Sequence, residues 1–121
     1  MTISNSKIQL LIVEDEELIR EILAVMLAEK YDVDVFEAAG GNSAVEILQH
    51  NKIDLIVSDL NMPNGSGDIV YSFNKENNKA AFIFITSVDI NRHQHLEDFF
   101  DQKDHYYLPK PFTQEQVFSA F

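Results

Sequence analysis

The sequence predicts an α/β domain built on a doubly wound, five-stranded parallel sheet with helices on both faces. Three observations lead there. Strand-like and helix-like segments take turns along the chain, the pattern of crossover connections between parallel strands. The strand-like segments are near-continuous apolar runs, as strands buried on both faces require. The chain of 121 residues holds one domain of this kind and leaves little for a second.

The elements follow in order. Residues 1–7 are expected to be a flexible N-terminus, and 8–13 form the first strand, a run broken only by Gln9. A helix is predicted over 16–30, where Leu18, Ile22, Val25 and Met26 recur at helical spacing with Ile19 and Leu23 beside them. Its acidic start (Glu16, Glu17) and basic end (Lys30) suit the helix dipole. The second strand spans 33–38, and Gly40 and Gly41 break the chain before a short helix over 42–49. The third strand covers 53–58, interrupted only by Asp54. Residues 61–67 are rich in Asn, Gly and Pro and read as a loop. A helix starts at Asp68 and runs to Asn74, and a fourth strand covers 82–86. Residues 91–100 place Leu96, Phe99 and Phe100 on one helical face, and 106–108 form a short fifth strand. Thr113 and Gln116 stand at capping-box spacing and open a last helix that runs to Phe121.

Composition removes several function classes. With 20 acidic against 9 basic side chains, the net charge is −11, and phosphate backbones are repelled, so this segment is not expected to bind nucleic acid directly. There is no cysteine, which excludes a disulfide framework, a thiolate metal site and a cysteine nucleophile. A reducing cytoplasm is the compartment this suits. The longest apolar run, residues 80–85, is far too short for a membrane span, and Glu14 cuts the 10–13 run before it could form a signal-peptide core.

In an open parallel sheet, ligands bind beyond the C-terminal ends of the strands, where strand order reverses. Those ends carry Glu14 and Asp15 after strand one, Asp59 after strand three, Thr86 and Ser87 after strand four, and Lys110 after strand five. Two carboxylates ~5 Å apart at an effective dielectric of ~20 repel by about 3 kcal/mol. A hard cation such as Mg²⁺ favours a set of such oxygens and commonly grips a phosphate as well. Lys110 adds a second positive charge, and a threonine hydroxyl donates to a phosphate oxygen. A carboxylate can itself become an aspartyl-phosphate. Each element alone has a plainer explanation: acids favour helix N-termini, and Asp59 with Asn61, Pro63 and Gly65 is ordinary turn chemistry. Their coincidence on one rim points to phosphoryl transfer, where catalysis is largely positioning and charge neutralisation.

Five stretches, in order, resemble the receiver domain of bacterial two-component response regulators. They are LLIVEDEELIRE from Leu10, EAAGGNSAVEIL from Glu37, DLIVSDLNMPNGSG from Asp54, FIFITS from Phe82 and YYLPKPF from Tyr106. The resemblance reaches from about Gln9 to Phe121 and implies a flavodoxin-like receiver fold over 8–121, open to continuation into an output domain. It implies that Asp59 is the phosphoacceptor and that Mg²⁺ is held by Glu14, Asp15, Asp59 and the backbone carbonyl of Asn61. Thr86 matches the hydroxyl residue that contacts the phosphoryl group. Tyr107 matches the aromatic switch position that moves with it, and Lys110 the lysine that pairs with the phosphate. The bond between Lys110 and Pro111 stands where the family usually has a cis peptide.

The resemblance further implies a histidine kinase or histidine phosphotransfer protein as donor, and an output domain or effector protein as reader. Phosphorylation is expected to change the surface formed by the predicted helix 91–100, the fifth strand and the last helix. The domain is then a cytoplasmic switch and not an enzyme beyond its own phosphorylation and dephosphorylation, with no membrane partner. Three departures stand out. Ser87 stands where many relatives have a small apolar residue, Val88 is apolar at a position that in the family helps tune dephosphorylation, and 99–107 lacks the usual Gly-Ala pair before strand five. Two rivals are weighed. A phosphohydrolase like the haloacid dehalogenases needs a second acid two residues after its nucleophile, where this chain has Asn61. An unphosphorylated interaction module on the same scaffold would lack a working acid pocket, and so would gain no thermal stability from Mg²⁺.

Overall fold

A computed structural model of the chain describes residues 7–86, 105–110 and 113–120. The elements run β1 (Ile8–Val13), α1 (Glu17–Lys30), β2 (Val33–Ala38), α2 (Gly41–His50), β3 (Leu55–Ser58), α3 (Gly67–Asn77), β4 (Ala81–Thr86), β5 (His105–Pro109) and α4 (Gln114–Ala120). All strand pairs are parallel, and the sheet order is β2-β1-β3-β4-β5. The predicted fold is thus observed. The flexible N-terminus expected before strand one lies, except for Lys7, outside the described residues, as does the helix expected over 91–100.

Strand side chains alternate between faces, and each strand here is apolar on both, so the sheet carries two cores. Leu11, Val13, Ile56, Phe82 and Phe84 meet Ala44 and Leu48 of α2 and Val70 and Tyr71 of α3. On the other face Leu10, Ile12, Val57, Ile83 and Ile85 meet Leu23 and Leu27 of α1 and Val117 of α4. The Phe82 and Phe84 rings lie 4.7 Å apart, and Tyr71 sets its edge against Phe82 at 5.5 Å, an arrangement aromatic rings favour. The capping box of the last helix is formed: Thr113 Oγ1 accepts from the Gln116 N–H, and Gln116 Oε1 accepts from the Thr113 N–H.

Three details differ from the sequence reading, each for a physical reason. In α1 the core face is Ile19, Leu23 and Leu27 with Met26, whereas Leu18, Ile22 and Val25 are 68%, 46% and 60% exposed. Periodicity alone could not say which of two adjoining apolar stripes meets the sheet. The third strand begins at Leu55 and not at Ile53, because the backbone N–H and carbonyl of Ile53 are taken by the Asn78 side-chain amide. The third helix runs past Asn74 to Asn77. Asn74 is buried at 1% exposure, and its amide exchanges two hydrogen bonds with the backbone of Ala80. A polar residue satisfied in this way sits inside the fold without cost to the helix.

Candidate functional site

Strand order reverses between β1 and β3, and the chemistry-bearing residues gather at that edge. The ladder continues one step past each strand: the Glu14 N–H donates to the Ala38 carbonyl at 3.0 Å, and the Asp59 N–H to the Val13 carbonyl at 2.9 Å. Glu14 and Asp59 therefore leave adjacent strands side by side. Carboxylate oxygens of Glu14, Asp15 and Asp59 lie within 4.8 Å of one another. Glu14 and Asp59 are buried, while Asp15 is exposed.

The compensating charge arrives from β5 across the end of β4. Lys110 Nζ donates to Glu14 Oε1 and to Asp59 Oδ2, both at 2.9 Å. The remaining oxygens are also engaged, since Glu14 Oε2 accepts from the Glu16 N–H and Asp59 Oδ1 from the Leu60 N–H. The two buried carboxylates, Glu14 and Asp59, are thus each fixed at both oxygens.

Close backbone contacts pin the loop after Asp59. The Gly67 N–H donates to the Leu60 carbonyl at 2.7 Å, and a Cβ on Gly67 would sit 2.1 Å from the Asp59 carbonyl oxygen. Gly41, read in the sequence only as a chain break, donates to the Gly65 carbonyl at 2.8 Å, and a Cβ there would lie 2.7 Å from the Ser66 carbonyl. The start of α2 is therefore the bed on which the 61–67 loop rests.

Burial raises the Glu14 pKa above the ordinary 4.5, and the Asp59 charge pushes the same way; Lys110 and the Glu16 N–H pull it back without cancelling the rise. Burial also disfavours the charged Lys110 amine, but its hydrogen bonds to Glu14 and Asp59 outweigh that and lift its pKa above 10.5. A lysine whose pKa is raised by folding contributes stability that is fully present below its unfolded value and is lost as pH rises through the folded one. Without metal, the stability difference between wild type and Lys110→Met is expected to hold from neutral pH to about the ordinary lysine value of 10.5, then shrink. Urea denaturation across that range checks it; a difference already falling between pH 7 and pH 9 would contradict it.

Of the residues singled out from the sequence, Glu14, Asp15, Asp59 and Lys110 are brought together. Asn61 is exposed, two residues beyond Asp59 in the loop. Thr86 ends β4 in register with Pro109, and its side chain lies outside the described residues. Tyr107 is partly buried and packs against the core shared with α2 and α3. Ser87, Val88 and the bond from Lys110 to Pro111 lie outside the described residues. One residue that sequence reasoning passed over also reaches the site. Arg20 Nη1 donates to the Glu14 carbonyl at 2.8 Å; a single base on a charged helix carries no signal of such a contact.

Residues 10–121 match the family model of the response regulator receiver domain. The chain belongs to this family. The receiver domain is 33% identical over 111 residues to the aerobic respiration control protein ArcA of Escherichia coli, covering 89% of this chain and 44% of that protein. It is 31% identical over 111 residues to the transcriptional regulatory protein SrrA of Staphylococcus aureus, covering 90% and 44%. This receiver therefore spans less than half the length of the curated relatives it matches. Among solved structures it resembles the chemotaxis protein CheY4 of Vibrio cholerae, with 25% identity, a TM-score of 0.76 and coverage of 95% of this chain and 96% of that one. The receiver domain of an HD domain-containing protein from Pseudomonas fluorescens superposes at a TM-score of 0.80 with 19% identity, covering 95% and 91%, a likeness of fold. The rim just described is thus part of a response regulator receiver domain. Among its described residues no helix is long and apolar enough to cross a membrane.

Proposed function

We propose that this receiver is a phosphoacceptor switch in which Asp59 takes a phosphoryl group from a histidine kinase or a histidine phosphotransfer protein. The observation that carries this reading is the Lys110 amine set 2.9 Å from both Asp59 and Glu14 at the edge where strand order reverses. In the transfer an Asp59 carboxylate oxygen attacks phosphorus, the bond from phosphorus to the donor's imidazole nitrogen breaks, and that nitrogen keeps the electron pair. The product is an acyl phosphate, bonded through the attacking oxygen.

The all-oxygen donor set fits a hard divalent cation. Glu14, Asp15, Asp59 and the Asn61 carbonyl would hold Mg²⁺, which supplies charge neutralisation for the incoming phosphoryl oxygens. Lys110 shares that role and orients the Asp59 carboxylate. Thr86 hydrogen-bonds the new phosphoryl group and Tyr107 follows it, so the phosphorylated form favours a changed surface over residues 91–100, β5 and α4. This is a population shift between two arrangements of one element. An output domain or a separate effector protein reads that surface. The only chemistry the domain performs is on itself: its own phosphorylation and the later hydrolysis of the phosphate.

Intact-mass spectrometry after incubation with Mg²⁺ and a small acyl-phosphate donor tests the proposal. One added phosphoryl group is expected on wild type, none without Mg²⁺ and none on Asp59→Asn. Folded protein that neither binds Mg²⁺ nor gains mass would overturn it and leave an interaction module on a receiver scaffold.

A further inference from the structure

Glu14 is held at every polar atom it has. Its N–H donates to Ala38, its two carboxylate oxygens accept from Lys110 and Glu16, and its carbonyl accepts from Arg20. The first three contacts follow from the strand end and the acid pocket. The fourth comes from a side chain on α1, one full turn into the helix.

Arg20 is only 17% exposed and uses two nitrogens on two elements: Nη1 reaches the Glu14 carbonyl at 2.8 Å, and Nε reaches Glu37 Oε1 on β2 at 3.0 Å. Its own N–H donates to the Glu16 carbonyl and closes the first turn of α1. Glu37 pairs in register with Ile12, next to the Ala38 that holds the Glu14 N–H. The guanidinium therefore ties the β1–α1 turn to the end of β2. The peptide it grips is the one joining Glu14 to Asp15, and rotation of that peptide would swing Asp15 relative to Asp59.

We propose that Arg20 is a positioning residue for the acid pocket, locking the Glu14–Asp15 peptide so that the two side chains meet a divalent cation in one geometry. The inference rests on the metal-binding reading of the same site. A bare guanidinium beside that pocket would repel a cation, but Glu37 neutralises it. What the pair contributes is alignment with little net charge. The planar fork matters here, because a single ammonium cannot serve both acceptors in the directions the fork does.

The test measures Mg²⁺ affinity by titration calorimetry together with the melting temperature of the metal-free protein. Arg20→Met is expected to weaken Mg²⁺ binding about 10-fold, the scale on which partners behind metal ligands act. Arg20→Lys is expected to show the same loss, and it carries the test alone should Arg20→Met fail to fold. Leu27→Val, on the buried face of the same helix two turns away, is expected to lower the melting temperature while binding Mg²⁺ as wild type does. Wild-type affinity in Arg20→Met, or recovery of affinity in Arg20→Lys, would overturn the proposal. So would an equal loss of affinity in Leu27→Val, since general loosening of α1 would then suffice. Absence of Mg²⁺ binding by wild type itself would instead strike the metal site, and the positioning role with it.

Discussion

Gly67→Ala is expected to destabilise the domain by about 2–3 kcal/mol, on the scale of overpacking a site that cannot relax, and to slow phosphorylation of Asp59. Two effects oppose each other. Alanine in place of glycine in a helix gains up to about 1 kcal/mol, and Gly67 is the first residue of α3. Against that, the added Cβ would lie 2.1 Å from the Asp59 carbonyl oxygen, 2.9 Å from Leu60 Cα and 3.0 Å from the Asp59 carbonyl carbon. These are backbone atoms, so no side chain can turn aside. Relief requires α3 to move off the loop, breaking the Gly67 N–H bond to the Leu60 carbonyl, or the backbone of Asp59 to shift. The steric effect wins. Urea denaturation gives the stability change, and the rate of mass gain from a small phosphodonor gives the functional one. A variant as stable as wild type would mean that the approach of α3 to Asp59 is looser than this.

Asp59→Asn is expected to raise metal-free stability by about 1 kcal/mol while removing most of the stabilisation that Mg²⁺ confers on wild type. Three carboxylates converge within 4.8 Å, and the Asp59 charge already contributes to raising Glu14. A pair of such charges repels by about 3 kcal/mol at an effective dielectric of ~20, and the hydrogen bond from Lys110 to Asp59 returns part of that. The asparagine carbonyl can still accept from the Leu60 N–H or from Lys110, so the variant loses repulsion more than it loses contacts. In wild type, Mg²⁺ at about 100 times its dissociation constant would add about 2.7 kcal/mol. Thermal melts of both proteins with and without millimolar Mg²⁺ measure both halves. An Asp59→Asn protein that melts below wild type without metal would show that Asp59 does not destabilise the metal-free pocket, and one that responds to Mg²⁺ as strongly would show that Asp59 does not hold the cation.

Both expectations turn on features read with unequal ease from the chain. Asp59, Glu14, Asp15 and Lys110 stood out because the C-terminal ends of parallel strands share one rim, and locating the strands located the rim. The capping box at Thr113 was equally legible, since its two partners are three residues apart and need nothing distant. Gly67 reads from the sequence as the end of a loop, whereas it is the first residue of α3. Its need for a missing side chain is set by the backbone of Asp59, and no local pattern reports that.

Alone, the sequence determined the alternation of strands and helices, the two-faced burial of the sheet and the chemistry at the strand ends. These depend on local periodicity and on a topology that parallel connections allow in few ways. Tertiary structure decided which stripe of α1 meets the core, leaving Leu18 and Val25 in solvent and turning Leu27 inward. It also placed Asn74 inside the fold, where Ala80 satisfies its amide, and set Arg20 against the Glu14 carbonyl. Each of these depends on what a distant segment offers to a residue, and hydrogen-bond partners and packing surfaces exist only once the chain has closed on itself.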